Sequence, residues 1–235
     1  MGKGGSKHHQ KLAIPTLLKL LDFQSGERVL DIGAGQGVLA SAVEKAGAHY
    51  TGVEISKRLI EYAKQHHGRG VNILQGDATR LSSVVSLEAE GYDAAVYLLS
   101  IQDMDPLEDV FEGLNWAVKP GGRVGILMTH PCFRIPRQSG WGWDEGRKLQ
   151  FRRVDRYLTP LPIPLKPYPG QTGVSRSYHR PLQDYVNGLG AVGFLVERIE
   201  EVPTYKDARG PRAKAENLAN EEIPLFLGLR ARKVV

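Results

Sequence analysis

At 235 residues, 41% of them hydrophobic and 24% charged, the chain has an ordinary globular composition, which excludes disordered and fibrous classes and leaves room for one core with an elaboration. The single Cys132 excludes an internal disulfide and fits a reducing compartment. A polar start and the lack of any apolar run near ~18 residues argue against a secretory signal or membrane span, so a cytoplasmic location is expected. The net charge of +5 is concentrated in one place: residues 131–180 hold 10 basic and 3 acidic groups, whereas residues 1–130 hold 13 and 15 and residues 181–235 hold 8 of each.

The opening MGKGGS fits the bare N-myristoylation pattern, with Gly2 and Ser6 in place, but a glycine-rich start meets it by chance. His8, His9 and Gln10 follow, either as part of a segment folded over a ligand or as solvated groups on a free arm. Leu12, Leu17, Leu18, Leu20 and Leu21 recur at helical spacing, which predicts a helix packed on a sheet. Residues 1–22 thus read as an N-terminal helical arm.

The stretch VLDIGAGQGVLA, Val29 to Ala40, is an apolar strand, a loop with Gly33, Gly35 and Gly37, and the start of a helix near Val38. Glycines at such a loop let the chain turn sharply and bring its backbone close to a ligand. A dinucleotide fingerprint reads GxGxxG; here the third glycine comes one residue early, and Asp31 precedes the first by two. That carboxylate repels pyrophosphate and suits a cation. At these residues the chain resembles the class I S-adenosylmethionine-dependent methyltransferases, whose first motif is an acidic residue followed by GxGxG. The resemblance implies that Asp31 and the three glycines hold S-adenosylmethionine, which carries a sulfonium and an ammonium and no phosphate.

HYTGVEIS supplies a second strand ending at Glu54, 17 residues beyond Gly37. In the family an acidic residue here takes the two ribose hydroxyls; the alternative is a carboxylate serving the start of the helix beside Ser56. VNILQ (Val71 to Gln75) predicts a third strand, followed by Asp77 and Ala78. The family uses an acidic residue here for the adenine amino group and the next backbone N–H for the ring, while an Asp capping a turn is the plainer reading. YDAAVYLL (Tyr92 to Leu99) is the fourth strand, and Ser100, Ile101 and Gln102 after it border the expected methyl-transfer site. An Asp/Asn-Pro-Pro-Tyr signature is missing there, which disfavours amino methylation of that type. No Asp-Asn pair follows the fifth strand, which removes the resemblance to magnesium-dependent catechol methyltransferases.

A helix from Pro106 to Val118 leads through Lys119, Pro120, Gly121 and Gly122 into RVGILMT, strand five. Residues 131–180 then break the alternation with prolines, aromatics and arginines, among them Pro167, Tyr168 and Pro169. This segment reads as a lid inserted at the ligand-binding edge of the sheet, with Trp141, Trp143 and Tyr178 expected opposite the glycine loop. Its arginines suit an anionic acceptor such as a carboxylate or phosphate, an RNA backbone, or a merely solvated surface. SRSYHRPLQDYVNGLG restores order with a helix from Pro181 to Leu189, then a strand from Phe194 to Val202 and a last strand within Glu222 to Lys233. Its Tyr-His-Arg-Pro-Leu run resembles a pattern of the small-molecule "type 11" methyltransferases.

The resemblance implies one methyltransferase domain over residues 1–235: an α/β, Rossmann-like, doubly wound seven-stranded sheet, mostly parallel with the last strand antiparallel, and a lid after strand five. Transfer to an oxygen needs a base, for which His130 and His179 are candidates, each alternatively a structural histidine; Tyr178 either orients the acceptor or packs. Cys132 in THPC lacks the accompanying motifs of thiolate-dependent methyltransferases and reads as a small buried thiol. The expected function is methyl transfer to a small molecule at oxygen, with no metal. Three rivals are an RNA methyltransferase using the basic insert, a nicotinamide oxidoreductase, and a non-catalytic cofactor-binding protein.

Overall fold

A computed structural model describes residues 4–67, 71–165 and 175–234. Residues 9–13 form a π-helical turn that runs into α1 (Ile14–Leu21), with Pro15 in the first turn, where its missing N–H breaks no helical bond. Leu17, Leu20 and Leu21 of α1 are fully buried, each contributing about 2 kcal/mol of apolar burial. The helix lies close on the sheet because glycines stand beneath it: a β-carbon at Gly125 would come within 2.6 Å of Leu21, and one at Gly228 within 2.7 Å of Leu20.

Then follow β1 (Arg28–Ile32), α2 (Ala40–Lys45), β2 (His49–Glu54), α3 (Lys57–His67), β3 (Ile73–Gln75), β4 (Tyr92–Leu98), α4 (Leu107–Ala117) and β5 (Val118–Thr129). After the insert come α5 (Leu182–Ala191), β10 (Phe194–Val202), α6 (Ala213–Glu222) and β11 (Phe226–Lys233). The sheet has seven strands in the order β10-β11-β5-β4-β1-β2-β3. β11 pairs antiparallel with both neighbours and the other four pairings are parallel, as expected.

Both faces of the sheet are covered, so its strands read as nearly continuous apolar runs. Leu30, Ile32, Tyr97 and Ile126 face α4 and α5, whereas Val29, Val96, Leu98 and Leu127 face α1, α2 and α3. The strand order reverses between β1 and β4, and in open α/β sheets the crevice beyond the carboxyl ends at such a point takes the ligand. Among the described residues no helix is long and apolar enough to cross a membrane.

Three details depart from the expected boundaries. The third strand begins at Ile73 rather than Val71, and the helix after the glycine loop begins at Ala40 rather than Val38, since its first residues belong to turns that close the loop. Residues 119–122 bulge out of β5: Tyr92 pairs with Val118 and Ala94 already with Arg123, with Gly121 at φ 75° taking the bend. α6 was not foreseen.

The insert holds two antiparallel ribbons, β6 (Ser139–Asp144) with β7 (Leu149–Val154) and β8 (Leu161–Pro164) with β9 (Arg176–His179). Pro167, Tyr168 and Pro169 lie outside the described residues. The insert leaves the sheet at the carboxyl end of β5 and returns beside that of β4, where Ser177 Oγ donates to the Gln102 carbonyl at 3.4 Å.

Candidate active site

The glycine loop is tied to the end of β2 by bonds from Gly33 N and Ala34 N to the Val53 carbonyl, at 2.9 and 3.0 Å. All three loop glycines have positive φ. At Gly33 (φ 75°) a β-carbon would lie 2.6 Å from Ser100 Cβ and from Met104 Cε, so this position cannot take a side chain without moving the segment after β4. At Gly35 (φ 55°) a β-carbon would meet nothing within 4 Å. The loop is therefore packed from below and open at its middle, which is the shape of a cradle.

Asp31 is 1% exposed at the end of β1. Its Oδ2 accepts a 2.8 Å bond from the Tyr50 hydroxyl, and its Oδ1 has no partner among the described residues. Burial raises its pKa to about 7, against the bond from Tyr50, with the nearby Glu54 charge adding to the rise. A buried carboxylate with one oxygen unmet is a site arranged for a donor or a cation that the protein itself does not supply. Tyr50, which orients this carboxylate, was not singled out from sequence; it stands on β2 opposite Val29, so only the strand register brings it to Asp31.

Glu54 is 8% exposed and binds backbone with both oxygens, Oε2 accepting from Gly35 N and Oε1 from Ser56 N, each at 2.8 Å. It thus fixes the glycine loop and starts the following helix, and each oxygen keeps a second lone pair. Asp77 caps the 3₁₀ turn that begins at Ala78: its Oδ1 accepts from Thr79 N at 2.9 Å and Thr79 Oγ1 at 2.8 Å. Gln102 sits in the turn after β4, donating from Nε2 to the Leu99 carbonyl at 2.8 Å, while its buried Oε1 has no partner.

The N-terminal segment is packed rather than free. His9 Nδ1 meets Ser6 Oγ at 2.8 Å, His8 stands 5.1 Å from the Tyr205 ring, and a β-carbon at Gly5 would lie 3.1 Å from Val38 at the far end of the glycine loop.

Beside Gln102 lies a cavity of about 50 Å³ lined by Thr129, Arg134, Tyr178, His179 and Arg180 among others. His179 is 6% exposed and its Nε2 is 2.6 Å from the Tyr157 carbonyl. A carbonyl only accepts, so Nε2 carries the proton and Nδ1 the lone pair. His130 is differently committed: Nε2 meets Glu201 Oε1 at 2.9 Å and Nδ1 accepts from Cys132 N at 3.2 Å. Burial lowers its pKa, outweighing the opposing pull of Glu201. Cys132 Sγ is 3.5 Å from the Tyr157 hydroxyl, which itself accepts from Leu182 N at 2.9 Å.

The two tryptophans do not face the glycine loop as expected. Trp141 lies between the guanidinium groups of Arg134 and Arg152, at 5.0 and 5.2 Å. Trp143 lines a separate cleft of about 850 Å³ between the β6–β7 ribbon and α6, with Arg212 4.4 Å over its ring. Pairing of β6 with β7 and packing of β7 on α6 turn this ribbon away from the loop.

The sheet order, its lone antiparallel strand and the acidic residue before a GxGxG loop define the class I S-adenosylmethionine-dependent methyltransferase architecture. Residues 30–126 match the family model for the methyltransferase domain. Over 115 residues it is 30% identical to the demethylmenaquinone methyltransferase of Tropheryma whipplei (strain Twist), covering 48% of this chain and 46% of that protein. Over 102 residues it is 31% identical to the ubiquinone biosynthesis O-methyltransferase of Aeromonas salmonicida (strain A449), covering 43% and 42%. The chain thus spans about half the length of the curated relatives it matches. Along nearly its whole length it is similar to an S-adenosylmethionine-dependent methyltransferase of Mesorhizobium loti, with a TM-score of 0.71, 25% identity, and coverage of 98% of this chain and 100% of that one.

Proposed function

We propose that the chain transfers a methyl group from S-adenosylmethionine to a small-molecule acceptor, at oxygen. The observation that carries this reading is the buried Asp31 carboxylate, whose Oδ1 has no partner among the described residues, two positions before a glycine loop that is open at Gly35, a combination that fits a cationic ligand and not a pyrophosphate. The cofactor, when bound, supplies a methyl on an already activated sulfonium leaving group. The protein's task is then to align and to manage a proton.

In this reading Gly33, Gly35 and Gly37 shape the cradle, and Asp31 holds its cationic end. Glu54 turns its remaining lone pairs to the ribose hydroxyls, and Asp77 and the Ala78 N–H hold the adenine. Gln102 lies where cofactor and acceptor meet. Of the two histidines, His179 is the base for the acceptor hydroxyl, because its Nε2 is held by the Tyr157 carbonyl and its Nδ1 meets no donor among the described residues. His130, with both ring nitrogens engaged, holds the root of the insert to β10. Tyr178 orients the acceptor, and residues 131–180 close over it as a lid. Arg134 and Arg180 of the insert are turned inward onto carbonyls of the fold rather than out along a surface track, which favours a small molecule over a polynucleotide.

Calorimetric titration with S-adenosylmethionine tests this. Binding is expected, and Glu54→Ala should weaken it by about tenfold to a hundredfold through loss of charge-assisted bonds and of the loop tether. Tight binding of reduced nicotinamide cofactor in its place would overturn the reading.

A further inference from the structure

Two residues that line the small cavity after β4, Arg180 and Gln102, each carry one buried polar atom, of opposite kind, with no hydrogen-bond partner among the described residues. Arg180 is 7% exposed; its Nη2 donates to the Met104 carbonyl at 2.8 Å and to Asp105 Oδ1 at 2.6 Å, and the Tyr185 hydroxyl lies near the guanidinium, but its Nη1 is buried without a hydrogen-bond partner among the described residues. A guanidinium donor left so costs about 1–3 kcal/mol unless something else accepts from it. Gln102, which lines the same cavity, has a buried Oε1 that accepts from no donor among the described residues.

Arg134 lines this cavity as well. Its Nε and Nη2 bind the carbonyls of Pro224 and Ile223, both at 3.1 Å, and it shares the Trp141 ring with Arg152. Neither Arg134 nor Arg152 meets a carboxylate within ion-pair range among the described residues. Burial first, and then the Arg152 charge, pull the pKa of Arg134 down to about 10. Of the nearby acids, Asp105 is spent on Arg180 and turns its side chain half to solvent. Two guanidinium groups stacked on one indole with no counter-ion are stabilised by an anion, and planar guanidinium donors match a carboxylate.

We infer, building on the methyltransferase reading, that the acceptor is a small hydroxylated carboxylic acid, its carboxylate read by Arg180 and Arg134 and its hydroxyl by Gln102. The hydroxyl then stands in the cavity that His179 also lines: its one proton is held by Gln102 Oε1 on binding and passes to His179 Nδ1 as the oxygen takes the methyl group. A phosphodiester chain does not suit Arg180, which is 7% exposed and reaches the Met104 carbonyl and Asp105 from within the fold.

The test uses the full chain saturated with S-adenosylhomocysteine, with 2-, 3- and 4-hydroxybenzoate and their carboxamides as probes in calorimetry. At least one hydroxybenzoate should bind about tenfold or more tightly than its amide, since a charge-assisted bond is replaced by a neutral one. Arg134→Gln and Arg180→Lys should each bring that ratio toward one, and Arg134→Gln should leave the S-adenosylhomocysteine affinity as it was. The Arg134 variant carries the test if Arg180→Lys fails to fold. Equal binding of acid and amide, no binding of any probe by the loaded protein, or a preference that survives in Arg134→Gln overturns the inference. Displacement of the probes by an RNA fragment with steep salt dependence also overturns it. Failure to bind S-adenosylhomocysteine at all would instead strike the methyltransferase reading.

Discussion

The glycine-loop half of the sheet and the insert after β5 both offer polar groups to a ligand, and they are built in opposite ways. Around β1 and β2 the work is done by backbone: Gly33 N and Ala34 N bind the Val53 carbonyl, Gly35 N binds Glu54, and one buried carboxylate, Asp31, faces the cradle. Around the insert it is done by side chains, with Arg134 and Arg180 reaching carbonyls of distant segments and His179 held by the Tyr157 carbonyl. In the first region the constraint is steric, as at Gly33, where a β-carbon would lie 2.6 Å from Ser100, whereas in the second the side chains themselves set what is bound. The match to the family model ends at residue 126, before the insert begins, in keeping with that division.

The largest effect should come from the backbone half. Gly33→Ala puts a β-carbon 2.6 Å from Ser100 Cβ at a positive φ; a loss of about 2 kcal/mol or more of stability is expected, with loss of cofactor binding. A thermal melt and a titration check it, and an unchanged melt with intact binding would break the contrast. In the side-chain half, His179→Gln should lower kcat by about a hundredfold or more while cofactor affinity holds. His130→Gln should instead lower stability by about 1–3 kcal/mol through its bonds to Glu201 and Cys132, with the smaller effect on kcat. The reverse pattern in steady-state kinetics would make His130 the base. The smallest effect belongs to Tyr178→Phe, which keeps the ring under Arg180 at 5.2 Å and removes only a hydroxyl; acceptor KM should rise by about tenfold or less.

The same division governs what the sequence made legible. The loop of Gly33, Gly35 and Gly37 and the acids Asp31 and Glu54 lie close to one another along the chain, at spacings fixed by strand–turn–helix geometry, so they could be found without a structure. The role of Asp77 as a turn cap was legible too, and the structure has it capping. What escaped depends on contacts between distant segments. The partner of Asp31 follows from parallel register, and the meeting of Arg180 with Met104 and of Arg134 with Pro224 follows from how the insert folds back. α6 escaped for another reason: only Ala219 of Ala213–Glu222 is buried, so there is no apolar stripe to read. The tryptophans misled because an aromatic next to a basic run says nothing about which way its ribbon turns.

The central claim is that Asp31 is an anionic anchor completed by a cationic ligand, and protons report on it. An ordinary unfolded Asp ionises near pH ~4, and in the folded protein burial holds Asp31 near 7. Because the native state keeps a proton that the unfolded chain has released, the stability this group contributes falls as pH rises from about 4 to about 7. A cation placed at Oδ1 favours the ionised form and should expel that proton. Calorimetric titration of S-adenosylmethionine at pH ~6, in buffers of different ionisation heat, should therefore show about one more proton released by the wild type than by Asp31→Asn, with at least about tenfold weaker binding in the variant. Equal proton release and equal affinity in the two proteins would contradict the account.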